Sequence, residues 1–354
     1  MRTLIAASTR AYTGKSGVVL ALSAVLAERG LDVGYFKPYG AMPVHEGETV
    51  SDEDALYING TLSRPSVTSD VCPIVRTRSF VERVLRGEVG DLSTVIAQAF
   101  ERVSAGRDVV LVEGSADWAQ GIAVGVSAAE VARLLDAPAL LVDRPQGFDI
   151  PEAVLAQAAL LGDRLCGVVL NGVQEPQLPF TRDRLVPFLE GRSIAVHGVI
   201  PHDPALSAVT VAQIVDALSG TVLAAEDHLG DPVESFMVGA MGKDKALRFF
   251  RRKARKAVVT GGDRADVQLA ALETDTRCVV LTGNMPPSAA VLAQAEESGV
   301  PMILVDTDTL AAVEALEGLF GRTRIHDAAK AARLRAKLEQ HVDLDRLLAA
   351  CGIH

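Results

Sequence analysis

The segment Ser8-Thr9-Arg10-Ala11-Tyr12-Thr13-Gly14-Lys15-Ser16 ends in Gly-Lys-Ser, between an apolar run at residues 3–7 and an amphipathic stretch at 18–29 that stops at Gly30. An apolar run, a glycine turn and a helix start in that order build a phosphate-binding loop, in which backbone N–H groups and the helix N-terminus cradle the phosphates. On this reading Thr13, Gly14, Lys15 and Ser16 meet the ligand, Lys15 answers its charge, and the Ser16 hydroxyl reaches a divalent cation. The full pattern Gly-x-x-x-x-Gly-Lys-Ser/Thr has one departure, since Thr9 stands at its first glycine.

Other residues of the right type sit at the ends of apolar runs. Lys37 follows the run at 33–36, and Pro38 holds it in extended geometry, so it can reach the same phosphates as Lys15. Glu113 closes the run at 109–112 ahead of Gly114, where its carboxylate can hold Mg²⁺ directly or through water. Asp52 and Asp54, in Ser51-Asp52-Glu53-Asp54, precede a helical run; such a cluster caps a helix, holds a metal, or divides the two tasks, and Asp54 is the residue assigned to the metal. Asn171 closes the run at 167–170 before Gly172, as a turn residue or as an amide presented to a base edge. His202 reads as a turn histidine.

These positions require a sheet with all its chemistry along one edge. Apolar runs at 3–7, 33–36, 109–112, 139–142, 167–170 and 195–200 alternate with helical stretches, which predicts a P-loop α/β fold: a parallel sheet with helices on both faces and the ligand at its carboxyl edge. This first domain is expected over 1–211. A connecting helix over 215–229 leads into a smaller α/β domain, 212–320, with strands at 257–260, 278–281 and 302–305 and helices at 263–273 and 288–298. A helical tail, 321–354, is expected to pack on the body or on a partner.

Composition narrows the classes. The chain has 354 residues, 49% hydrophobic and 23% charged, enough for two cores. A net charge of −10 disfavours nucleic acid and anionic membranes as partners. No apolar run approaches the roughly 18–20 residues of a spanning helix. Four scattered cysteines, without metal-ligand spacing or a signal-peptide layout before them, predict a cytoplasmic protein with free thiols.

Taken in order and at similar spacing, Gly14-Lys15-Ser16, Phe36-Lys37-Pro38, Ser51 to Leu56, Val112-Glu113-Gly114, Leu170-Asn171-Gly172 and Val199-Ile200-Pro201 resemble dethiobiotin synthetase. Val259-Thr260-Gly261-Gly262-Asp263-Arg264-Ala265-Asp266, Leu281-Thr282-Gly283 and residues 305–309 resemble the DRTGG domain. In tandem they resemble the N-terminal regulatory half of long phosphotransacetylases, without room for the transacetylase domain.

The resemblance implies an ATP–Mg²⁺ site with Lys15 and Lys37 on the phosphates, Ser16, Asp54 and Glu113 around the metal, and Asn171 near adenine. It also implies a homodimer and a regulatory second domain. Thr9, Ala11, Tyr39-Gly40-Ala41-Met42 and Ser115-Ala116-Asp117-Trp118 depart from the synthetase pattern, so the nucleotide half of that site is retained and the diamine half is not. In related dimeric ATPases the place of Arg10 holds a lysine that reaches the partner's phosphates; here a solvated loop arginine is expected.

In the second domain, Asp263 is expected to cap the helix that follows it. Thr260, Gly261, Gly262, Asp263, Arg264 and Thr282 form either a pocket for a small-molecule effector or a packing surface. Asp306 and Asp308 read as helix caps. The leading expectation is an ATP–Mg²⁺-binding metabolic regulator or partner subunit; the alternative is a ligase that activates a carboxylate or carbamate by phosphoryl transfer, with Lys15 and Lys37 as catalytic cations.

Overall fold

The computed structural model describes residues 1–47, 49–321 and 327–353. In the first part of the chain the strands are β1 (Arg2–Ser8), β2 (Val33–Phe36), β3 (Val109–Glu113), β4 (Ala139–Asp143), β5 (Leu165–Val173) and β6 (Val196–Pro201). They form one parallel sheet in the order β2-β3-β1-β4-β5-β6. Every residue of β3 and β4 is buried. Burial on both faces calls for unbroken apolar runs, and Val-Val-Leu-Val and Ala-Leu-Leu-Val supply them. In β3 and β4 a polar residue comes only at the end, Glu113 and Asp143, and β1 likewise closes on Ser8. The P-loop α/β fold expected from the alternation is the fold observed.

Helix α1 (Lys15–Glu28) starts at the loop's own lysine and buries ten of its fourteen residues. The sequence reading gave it one apolar face, yet it is buried nearly all round. The cause lies at the far end of the chain, where the tail helix Ala328–His341 packs along it and Arg335 bridges to Glu28. Residues 322–326 of the tail lie outside the described residues.

The chain divides into two compact units. One is Met1–His202 with the C-terminal helices, and the other begins at Asp203. The second has a five-stranded sheet of β7 (Thr221–Ala224), β8 (Ser235–Val238), β9 (Lys256–Gly261), β10 (Thr276–Thr282) and β11 (Met302–Leu304), in the order β7-β11-β10-β9-β8. All its pairings are parallel except β7 with β11.

β7 corrects the sequence reading, which made 215–229 one helix. The helix there spans Val211–Leu218 and ends on Ser219, whose φ of 49° is left-handed. Gly220 follows where a side chain would collide with Ile303, and Thr221-Val222 then takes the pleated conformation that β-branched residues favour.

Candidate functional site

Gly14 sits at the N-cap of α1 with φ 87°, and an added Cβ would run into the amide nitrogen of Asn171. Only glycine satisfies both demands. Asn171, on β5, donates from Nδ2 to the Thr13 carbonyl at 2.8 Å, so its amide steadies the loop from the neighbouring strand end. Gly14→Ala is expected to lower stability by about 1–3 kcal/mol, since left-handed backbone at a non-glycine residue costs that much. Urea unfolding of the variant measures it.

Thr9, the departure from the loop pattern, is buried and its hydroxyl donates to the Asp143 carboxylate at the end of β4. Arg10 lies 3.7 Å from the same carboxylate. A hydroxyl anchor thus holds the loop where the usual pattern has glycine. Burial pushes the Asp143 carboxyl upward against the opposing effects of Thr9 and Arg10.

The two lysines differ. Lys15, 6% exposed, donates from Nζ to the carbonyls of Gly114 and, at 2.6 Å, Ser115, with Glu113 at 3.9 Å. Burial lowers its pKa to about 8, with Glu113 offsetting only part of the effect. Lys37 lies 2.7 Å from Asp52, 3.3 Å from Asp54 and 3.3 Å from Glu113. Burial would depress its pKa too, but Glu113, Asp52 and Asp54 outweigh burial and hold the ammonium well above its ordinary range. One lysine is short of negative charge and the other is surrounded by it.

The acidic cluster divides its tasks. Asp52, fully buried, caps helix α2 (Glu53–Thr61) by accepting from the N–H groups of Asp54 and Ala55, and it also accepts from Ala41 and Met42. Asp54 and Glu113 instead converge on Ser16, whose hydroxyl donates to Glu113 at 2.8 Å and lies 3.4 Å from Asp54. Tyr35, buried on β2, donates its hydroxyl to the second Glu113 oxygen at 2.8 Å. Burial and then the nearby carboxylates, Glu113 foremost, push that phenol well above its usual range.

Asp52, Asp54 and Glu113 against Lys15 and Lys37 leave one net negative charge. The oxygens of Ser16, Asp54 and Glu113 are the hard donors that Mg²⁺ prefers, and the Thr13 hydroxyl is buried with no partner. The residues present therefore fit an Mg–polyphosphate ligand. Among the described residues no group of three or more His, Cys, Asp or Glu side chains is placed to hold a metal ion alone. A cation here would need the Ser16 hydroxyl and ligand oxygens. Asp143 and Tyr35 are the participants that the sequence reading missed: no spacing rule links Asp143 to Thr9, and Tyr35 reads as one more apolar strand residue.

In the second unit the expected pocket residues are hydrogen-bonded to neighbours within that unit. Thr260 donates to the Gly239 carbonyl, Thr282 and Thr309 share a hydrogen bond between hydroxyls at 2.8 Å, and Gln268 donates to the Gly261 and Gly262 carbonyls at 3.0 Å each. Asp263 does not cap the helix, which spans Ala265–Leu272 with Arg264 at the N-cap and no side-chain cap. The Arg264 N–H bonds back to the Gly261 carbonyl at 3.1 Å, so the turn runs through Asp263 before the helix begins, and the Arg264 side chain reaches the Met241 carbonyl at 2.9 Å. Asp308 caps its helix, accepting from the Ala311 N–H.

A family model described as an AAA domain matches residues 2–210, more than half of the chain. The chain belongs to that AAA domain family. This family member also carries a DRTGG domain, matched over residues 213–319. The phosphate acetyltransferase of Pseudomonas putida is 28% identical over 373 aligned positions, covering 99% of this chain and 52% of that protein. The ATP-dependent dethiobiotin synthetase of Bacillus licheniformis is 25% identical over 180 positions, covering 49% of this chain and 74% of that enzyme. Among solved structures, the MinD cell division protein of Aquifex aeolicus aligns with a TM-score of 0.37 at 17% identity, over 58% of this chain and 84% of that one. The AAA-family chain spans about half the length of the phosphate acetyltransferases it matches, corresponding to their N-terminal half. No helix among the described residues is long and apolar enough to cross a membrane.

Proposed function

We propose that the chain binds ATP–Mg²⁺ at the phosphate loop and acts as a regulator or partner subunit, with the second unit as the module for a small-molecule effector. The observation that carries this reading is the buried Lys15, held mainly by backbone carbonyls, beside a cluster in which Lys37 takes the close contacts with the carboxylates. Ser16, Asp54 and Glu113 would hold Mg²⁺, which would supply charge neutralisation for the phosphates when bound. Lys15 would turn from the Gly114 and Ser115 carbonyls to the phosphate oxygens, and Lys37 would keep the carboxylates fixed. Asn171 would hold the loop, with its side chain close to the base. A homodimer, with the nucleotide sites near the shared face, is the assembly proposed.

The test is thermal unfolding with and without ATP, GTP and AMP in Mg²⁺, run alongside phosphate release. ATP–Mg²⁺ at about 100 times its Kd should stabilise the protein by about 2.7 kcal/mol. No shift with any nucleotide refutes the reading, and fast phosphate release with a carboxylate or carbamate acceptor transfers it to the ligase class.

The site also predicts a pH dependence. Lys15 is neutral above about pH 8 in the empty site, and a polyphosphate anion beside it favours the charged form. Binding must then take up a proton above that pH, so affinity falls as pH rises through about 8, by up to about tenfold per pH unit. Calorimetry in buffers of different ionisation enthalpy reads the proton directly.

A further inference from the structure

Two of the four cysteines, 185 positions apart in sequence, meet in the first unit. The Sγ atoms of Cys166, on β5, and Cys351, at the C-cap of the last helix (Leu344–Ala350), are 2.8 Å apart. Closing a bond of about 2.05 Å would need a shift of under about 1 Å. The other two thiols, Cys72 and Cys278, lie buried elsewhere, and burial pushes each up to about 12, so they are poor nucleophiles.

The hydrogen bonds give the pair a direction. Cys166 Sγ lies 3.2 Å from the Ala139 carbonyl, which can only accept, so the Cys166 thiol donates there. The Cys351 thiol is left to donate to Cys166 sulfur, an interaction that disfavours the Cys351 thiolate. Cys166 is also the less buried of the two.

We infer that Cys166 and Cys351 form a reversible disulfide that staples the C-terminal helix to β5, with Cys166 attacking first and Cys351 resolving. The co-reactant is a small disulfide such as oxidised glutathione. The Cys166 thiolate attacks one of its sulfurs and expels one glutathione thiolate, giving a mixed disulfide. The Cys351 thiolate then attacks the Cys166 sulfur and expels the second glutathione. Two protein thiols become one disulfide, and one glutathione disulfide becomes two glutathione thiols. Five residues beyond Cys166 on the same strand is Asn171, which holds the phosphate loop at Thr13, so the staple joins the tail to the strand that steadies the loop. The inference does not depend on which ligand the loop takes.

The test incubates the full chain with oxidised glutathione, then counts thiols after denaturation and maps peptides without reduction. Two of the four thiols should disappear, a peptide pair linking Cys166 to Cys351 should appear, and the thermal midpoint should rise by several degrees and return with dithiothreitol. Cys351→Ser, or Cys351→Ala should the serine prove destabilising, should stop at glutathione on Cys166. Four thiols remaining, a bond between any other pair, or wild-type protein halted at the mixed disulfide overturns the proposal.

Discussion

Lys15→Ala is expected to remove the ATP–Mg²⁺-induced rise in thermal midpoint while leaving the ligand-free midpoint within a few degrees of the parent. A buried ammonium whose pKa has fallen to about 8 already bears a desolvation cost, and its partners are two backbone carbonyls and, at 3.9 Å, Glu113. Truncation forfeits those hydrogen bonds but relieves the cost, so the net change should stay within about 1 kcal/mol. Nucleotide binding has no such compensation. The phosphate charge would enter a site where three carboxylates face only Lys37. Deleting one partner of a buried, charge-assisted hydrogen bond costs about 2–5 kcal/mol, or at least about 30-fold in affinity. Scanning calorimetry of both proteins over an ATP–Mg²⁺ series gives the comparison, and an unchanged shift in the variant would exclude Lys15 from the binding site.

The contrast between Lys15 and Lys37 could not be read from the sequence, where both are lysines downstream of apolar runs and both read as able to meet phosphate. What separates them is where the hairpin of Pro43–Glu46 and Thr49–Asp52 delivers Asp52, a long-range placement with no periodic signature. By contrast, Gly14-Lys15-Ser16 was legible because its chemistry is local: strand, turn and helix start are contiguous, and the left-handed glycine belongs to the turn itself. Thr9 read only as a departure. Its anchoring role appears once β4, far along the chain, pairs beside β1 and brings Asp143 to the loop. The same limit explains the misread surface of α1, since helical periodicity describes a helix against its own sequence and cannot show that a tail helix will cover its outer side. At 215–229 an apolar run hid a strand, and the informative signal was Ser219-Gly220 ahead of a β-branched pair.

Lys37→Ala should be the more damaging change to the fold, lowering unfolding free energy by about 3–5 kcal/mol, because removing one partner of a buried ion cluster strands the other. Asp52 keeps four backbone N–H donors and remains satisfied without the lysine. Glu113 and Asp54, each 3.3 Å from the lysine, would face each other's charge without it. In the parent the lysine's contribution should hold across pH 5 to 8: a folded-state pKa raised above 10.5 contributes its full stability below that pH and loses it only as pH rises further. Adding Glu113→Gln to Lys37→Ala removes one buried charge while keeping a hydrogen-bonding group for Tyr35 and Ser16, and should recover at least about 1 kcal/mol at pH 8. Urea unfolding of parent, single variants and double variant at pH 5 and 8 measures the whole cycle. Equal midpoints for parent and Lys37→Ala at both values would mean that the lysine does not neutralise the cluster, and the division of labour between Lys15 and Lys37 would have to be abandoned.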